Sequence, residues 1–247
     1  MDSYEMFISP FDTCNPDERL TPAGFNFSFT NFIISLNNKC LYELQEENIK
    51  DDVYESQIYF NLEAGDTALA LTGETIWVSG SIAGTFHSKV TYASLGLGQI
   101  STTLDPGWHG QLLISMSNPN KEQIKVIVGN RKKDKCIQYK TFITLCLYRL
   151  ITPADASSDN ISARLEIIED VLKKNTNRQS VQKILDNIND IKFIIAQTQQ
   201  VQEIYLSVKK SDAHTLQRFK NLHATVLKKL NDIVPIKNNG HAASRSI

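Results

Sequence analysis

The chain has 247 residues, of which 41% are hydrophobic and 21% charged, with a net charge of -1. That length exceeds one minimal domain and suffices for two modest ones. The balance is that of an ordinary soluble globular protein. It lacks the basic excess of a nucleic-acid binder, and no apolar run reaches the roughly 20 residues that span a bilayer.

The opening residues Met1-Asp2-Ser3-Tyr4-Glu5 are acidic and carry no apolar signal core. A cytoplasmic protein is therefore expected. Cys14, Cys40, Cys136 and Cys146 are widely spaced with no C-x-x-C pair. That pattern predicts reduced structural thiols and no zinc site.

Residues 1–153 read as strands. Thr67 to Thr72, ended by Gly73, is the best run; Glu74 to Val78, Ser81 to Phe86, Gln111 to Ser117, Gln123 to Val128 and Lys140 to Leu150 follow. They are short, rich in β-branched and aromatic residues, and separated by Gly, Pro, Asn and Asp. Strands so spaced predict a sandwich or barrel. Gln111 to Ser117 alternates only in part, so one face is expected to pack on a neighbouring subunit.

The period changes after Pro153. The small polar stretch Ala154 to Asn160 reads as a linker. Ile161, Leu165, Ile168 and Leu172 then lie on one helical stripe. A second stripe has Val181, Ile184, Leu185, Ile188, Ile191 and Ile195, continued by Val201, Ile204 and Val208. A third has Leu216, Phe219, Leu222, Val226, Leu230 and Ile233. Asn175-Thr176-Asn177 and Ser211-Asp212 supply N-caps, and Pro235 stops the last helix. Residues 154–235 are thus a helical bundle, helices packed on the β domain, or a coiled-coil arm. The polar tail 236–247 is expected to be disordered.

The most informative stretch is Leu104-Asp105-Pro106-Gly107-Trp108-His109-Gly110, running into Gln111 to Asn118. It resembles the central motif of the dCTP deaminase and dUTPase family, an Asp-Pro-Gly-aromatic-x-Gly turn leading into a strand that ends in Asn. Other pieces keep the family's order. Ile8 to Phe11 and Leu20 to Phe27 resemble its opening segment, with Asn26 at an Asp position. Ala68 to Thr72 resembles its Ala-Leu-Ala-x-Thr strand. Lys89 to Leu97 resembles its phosphate-binding motif, Arg-Ser-Ser-x-x-Arg-x-Gly-Leu, and Thr141 to Leu150 its closing strand.

The resemblance implies a dUTPase-like β-barrel or sandwich, followed here by a C-terminal α-helical extension, an α+β chain overall. It also implies a homotrimer with sites at subunit boundaries. The departures fall where chemistry should be. Ser115 stands at the catalytic Glu position, Val90 at the first Ser and Ser94 at the second Arg, and the family's C-terminal lid is absent. A hydroxyl without a positioned His or Lys is a poor base near neutral pH, and a site without a lid excludes water poorly.

Some features survive. Asp105 aligns with the residue that orients water in dUTPases and is the candidate catalytic group. Lys89 keeps a positive charge, as a point charge rather than a fork, and Thr91 keeps a hydroxyl. Gly107 and Gly110 permit the turn. Lys89, Thr91, Gly107 and Gly110 are the candidate nucleotide-binding positions.

No zinc-deaminase pattern, P-loop or nucleophile elbow is present, and Gly96-Leu97-Gly98 reads as a turn. His87 and His109 are isolated. Arg131-Lys132-Lys133-Asp134-Lys135 reads as a solvated hairpin tip.

The resulting expectation is a catalytically degenerate family member acting as a nucleotide-binding or oligomeric regulatory or scaffold protein, with partners met through helices 161–233. Two alternatives stand beside it. One is an active enzyme that deaminates dCTP or hydrolyses dUTP, the latter through Asp105, with Mg2+ arriving on the nucleotide triphosphate and no directly bound cofactor or metal. The other is a purely structural oligomer.

Overall fold

Phe25, Phe27 and Phe29 alternate with Asn26, Ser28 and Thr30, which dictates a strand with one aromatic and one polar face. In the computed structural model that strand is the spine of the molecule. The structure describes residues 6–9, 19–49, 55–99, 103–132, 137–154, 161–174, 182, 184–186, 188, 189, 221, 225, 228 and 236–238.

The described chain is mostly β. Its strands are β1 (Met6–Ser9), β2 (Leu20–Thr21), β3 (Gly24–Ser35), β4 (Cys40–Leu41), β5 (Leu44–Asn48), β6 (Glu55–Leu62), β7 (Thr67–Val78) and β8 (Ile82–Ser88). After a short helix, α1 (Val90–Ala93), come β9 (Gly98–Gln99), β10 (Thr103–Leu104), β11 (His109–Ser117), β12 (Ile124–Lys132), β13 (Gln138–Tyr139) and β14 (Thr141–Arg149). Helix α2 (Ile161–Lys173) and strand β15 (Ile236–Asn238) complete the described elements.

One sheet runs β10-β8-β14-β3-β7-β11-β9, with β1 added to β7 and β2 and β4 added to β3; the other runs β13-β12-β6-β5-β15. Strand β3 changes partner along its length. Its first half pairs with β14, Ser28 opposite Thr141, and its second half with β7, Ile33 opposite Ala70. The two sheets share one core, in which Phe29 and Phe142 stack at 4.0 Å between centroids beside Ile58, Phe60 and Val126. Each such side chain contributes roughly 1.5–3 kcal/mol by leaving water.

Gly73 does not end a strand as the sequence suggested; β7 runs through it. A Cβ at Gly73 would lie 2.6 Å from the Ser28 hydroxyl. The glycine therefore marks a close approach of β3 rather than a turn.

On the outer face of β3, β7 and β11, Phe32, Ile34 and Leu71 form a second cluster with Leu165, Ile168 and Leu172 of α2, all fully buried. Ile184, Leu185 and Ile188 pack against the same cluster. The expected first stripe is thus the helix face that docks on the sheet. One face of β11 presents Leu113 to this helix.

Ile236–Asn238, the start of the tail expected to be disordered, pairs in parallel with Leu44–Glu46 of β5. The linker 155–160, the caps at 175–177 and 211–212, Val181 and the continuation of the second stripe from Ile191, all six residues of the third stripe and residues 239–247 lie outside the described residues. So do Pro10, Phe11, Cys14, Cys136 and the basic positions 133–135.

Candidate functional site

The Asp105 turn is built by backbone economy. Gly107 and Gly110 have φ of 77° and 117°, values that only glycine adopts without strain. The Gly107 N–H donates to the Ser79 carbonyl at 3.2 Å, and the Trp108 N–H to the Asp105 carbonyl at 3.2 Å. Trp108, 3% exposed, drops into the core and locks the turn. The half-buried Asp105 carboxylate accepts the Thr103 hydroxyl at 3.2 Å.

The other candidates sit elsewhere. Lys89 precedes α1 and donates through Nζ to the Thr141 hydroxyl at 2.6 Å. Val90 is 82% exposed, Thr91 is exposed, and the Ser94 hydroxyl donates to the Thr91 carbonyl at 3.0 Å. The turn after α1 reaches the far end of β11, where Gly98 pairs with Ser117 and Asn120 donates to the Gly96 carbonyl. Gly110 and Ser117 are seven residues apart on that strand, about 23 Å at a strand's rise. Within one chain, the Lys89 group and the Asp105 group therefore flank opposite ends of β11.

Ser115 lies between them. Leu112, Ile114 and Met116 point into the core, so alternation turns Leu113 and Ser115 toward α2. There a cleft of about 300 Å³ opens, bordered by Thr103, Trp108, Ser115 and Arg164, with Leu69 and Ile167 among its apolar walls. The Arg164 guanidinium lies 5.3 Å from the Trp108 ring centroid, a cation–π distance. Among the described residues, none forms a hydrogen bond with the Ser115 hydroxyl. Among the described residues, the border of the cleft carries no carboxylate, histidine or lysine.

Two residues escaped the sequence reading. One is Arg164, whose neighbours on the helical stripe gave no hint of its ring contact. The other is Glu74, 2% exposed at the point where β3 parts from β7. Its carboxylate accepts the Ser28 N–H at 2.7 Å and the Ser28 hydroxyl at 2.8 Å, and pairs with Arg19. Burial raises its pKa above the usual carboxylate range, against the lowering pull of Arg19 and Ser28. A carboxylate between the apolar runs Ala68–Leu71 and Ile76–Val78 was the available signal, since a buried charge persists only when paired. Glu74 supplies the acceptors that β7 withdraws from β3, which is a structural task.

His87 is exposed and meets the Thr85 hydroxyl at 2.9 Å, and His109 pairs with Trp77 at the start of β11. Cys40 and Cys146 are free thiols. Gly96, at φ 77°, makes the turn expected of Gly96-Leu97-Gly98. Among the described residues no three His, Cys, Asp or Glu side chains gather as metal ligands, and no helix is long and apolar enough to cross a membrane.

A family model described as dCTP deaminase-like matches residues 2–132. The chain belongs to the dCTP deaminase-like family. It is 24% identical over 163 residues to a dUMP-forming dCTP deaminase of Methanopyrus kandleri, covering 63% of this chain and 79% of that one. A dUMP-forming dCTP deaminase of Tropheryma whipplei is 26% identical over 155 residues, 60% of this chain and 71% of its own. Among solved structures, a 2'-deoxycytidine 5'-triphosphate deaminase from Agrobacterium tumefaciens aligns at TM-score 0.39 and 10% identity, over 58% of this chain and 42% of that one. The dCTP deaminase-like match ends at β12, so β14 and α2 lie beyond it.

Proposed function

We propose that this chain keeps the family's β domain but has given up deamination, and acts as a nucleotide-binding or oligomeric regulatory or scaffold protein in the cytoplasm. The observation that carries this reading is Ser115. It faces a cleft whose border, among the described residues, offers no carboxylate, histidine or lysine to serve as a base, and an unassisted hydroxyl does not take a proton from water near neutral pH. The assembly proposed is a homotrimer through the β domain, with α2 and the helical region after it completing the fold and meeting partners.

The test is product separation after incubating the pure protein with dCTP or dUTP and Mg2+, paired with light scattering and melting curves. No product, a trimeric mass, and nucleotide-dependent stabilisation lost in Lys89→Ala is the expected result. A trimer whose melting ignores nucleotides points to a structural oligomer instead.

A second reading keeps activity through Asp105, favoured by a half-buried carboxylate whose described partner is one threonine hydroxyl. In that reading Mg2+ enters with the triphosphate and Asp105 orients water. Product that disappears in Asp105→Ala would establish it and overturn the first.

A further inference from the structure

The segment 89–98 carries the candidate nucleotide-binding side chains Lys89 and Thr91 on one short helix and a turn. Tyr92 anchors its middle: the ring lies edge-on to Phe29 at 5.8 Å, and the hydroxyl donates to the Ile127 carbonyl at 3.2 Å. Around that anchor, Val90, Thr91 and Ser94 are exposed. The corner after β11 supplies an anchor for the far end. Asn118, fully buried there, donates through its amide to the carbonyls of Leu62 at 3.0 Å and Glu122 at 2.8 Å. Its backbone N–H donates to the Asp66 carbonyl at 2.9 Å. So fixed, its Oδ1 accepts the Asn120 side-chain amide at 3.0 Å. The same Asn120 amide donates to the Gly96 carbonyl at 3.4 Å. Two hydrogens on one nitrogen let Asn120 serve both acceptors. The Ser117 hydroxyl donates to the Gly98 carbonyl at 3.1 Å. Cβ atoms at Gly96 and Gly98 would stand 3.1 Å from the Asn120 amide nitrogen and 2.7 Å from the Ser117 hydroxyl, so both glycines admit a close approach.

We infer that Asn120 and Ser117 are positioning residues for nucleotide binding: they clamp the turn after α1 to the corner after β11, and so hold Lys89 and Thr91 in place without touching the ligand. The nucleotide rests on the function proposed above; the clamp rests on the hydrogen bonds alone. The constraint runs back along the helix, where the Ser94 N–H donates to the Val90 carbonyl at 2.8 Å and the Leu97 N–H to the Tyr92 carbonyl at 3.3 Å. A segment ordered before its ligand arrives loses less freedom on binding. Asn118 makes the corner a rigid base for that ordering, because it ties β11 to the ends of β6 and β12.

The test uses the full chain and two readings, amide hydrogen exchange across residues 94–98 and calorimetry with dCTP or dUTP and Mg2+. Asn120→Ala and Ser117→Ala are each expected to speed exchange in that turn, with melting near the native value because neither side chain fills the core. Each should weaken nucleotide binding by about 3- to 10-fold, the net worth of an ordinary hydrogen bond. Asn120→Asp keeps the shape but removes both donors, and sets a carboxylate against two oxygens. It is expected to loosen the turn at least as much as alanine does, which separates hydrogen bonding from packing.

Unchanged exchange in the Asn120 and Ser117 variants overturns the clamp. Faster exchange with unchanged nucleotide affinity, while Lys89→Ala abolishes binding, overturns the positioning role and leaves the nucleotide reading standing. No binding of either nucleotide by the native chain overturns the nucleotide reading and the role built on it.

Discussion

Leu165→Ala and Ile167→Ala remove side chains of similar size from one turn of one helix, yet they should differ sharply in cost. Leu165 is fully buried against Phe32, Ile34 and Leu71, whereas Ile167 is 44% exposed. The sheet beneath Leu165 is braced on its other face by the main core, so the void cannot collapse and the cost falls at about 3 kcal/mol, inside the range for buried Leu→Ala. For a chain of this length that lowers Tm by about 6–12 °C. Ile167→Ala should cost under about 1 kcal/mol. Urea titrations followed by tryptophan fluorescence measure both, because Arg164 beside Leu165 lies over the Trp108 ring. Equal costs for the two variants would refute the docking of α2 on the sheet.

Ending the chain after Pro153 strips cover from Phe32, Ile34 and Leu71 and removes Leu165, Ile168 and Leu172. Six side chains at about 2 kcal/mol each rival a whole domain's stability of about 5–15 kcal/mol, so calorimetry should find no cooperative transition; a sharp one would mean that the β domain stands alone. Glu74 holds its proton more tightly folded than unfolded, so its contribution is fully present below the ordinary Glu pKa and is lost as pH rises through the raised one. The stability of the native chain relative to Glu74→Gln should therefore fall over that window in urea midpoints, and a flat difference would contradict the burial. Burial pushes Tyr42 and Tyr92 far above their ordinary pKa and Tyr139 up to about 12. Ultraviolet titration to about pH 11 should leave at least three of the eight tyrosines neutral until guanidinium unfolds the chain.

Much of the framework was legible in the residues. Leu165, Ile168 and Leu172 announced their buried stripe because helical period and burial coincide there. The Asp105 turn followed from its two glycines. Strand β3 was underread, although the alternation of Phe25, Phe27 and Phe29 was plain; both faces of that strand are covered, so its polar residues look like loop residues until Glu74 and the strand exchange are seen. Gly73 misled because a glycine demanded by a neighbouring strand looks the same in sequence as one demanded by a turn. The candidate site was legible residue by residue but not as a place. Nothing in the order Lys89, Asp105, Ser115 reveals that β11 holds the first two apart, or that an arginine from α2 borders the third.

The parallel pairing of Ile236–Asn238 with β5 sets an order on the life of the chain. The N-terminal strands emerge from the ribosome first, and until residue 236 follows them β5 is an open rim of the sheet. Exposed rims recruit whatever extended backbone is nearby, including that of another nascent copy. Crowded synthesis on one messenger would then favour exchanged strands between chains, and slow or spaced synthesis would favour closure within one.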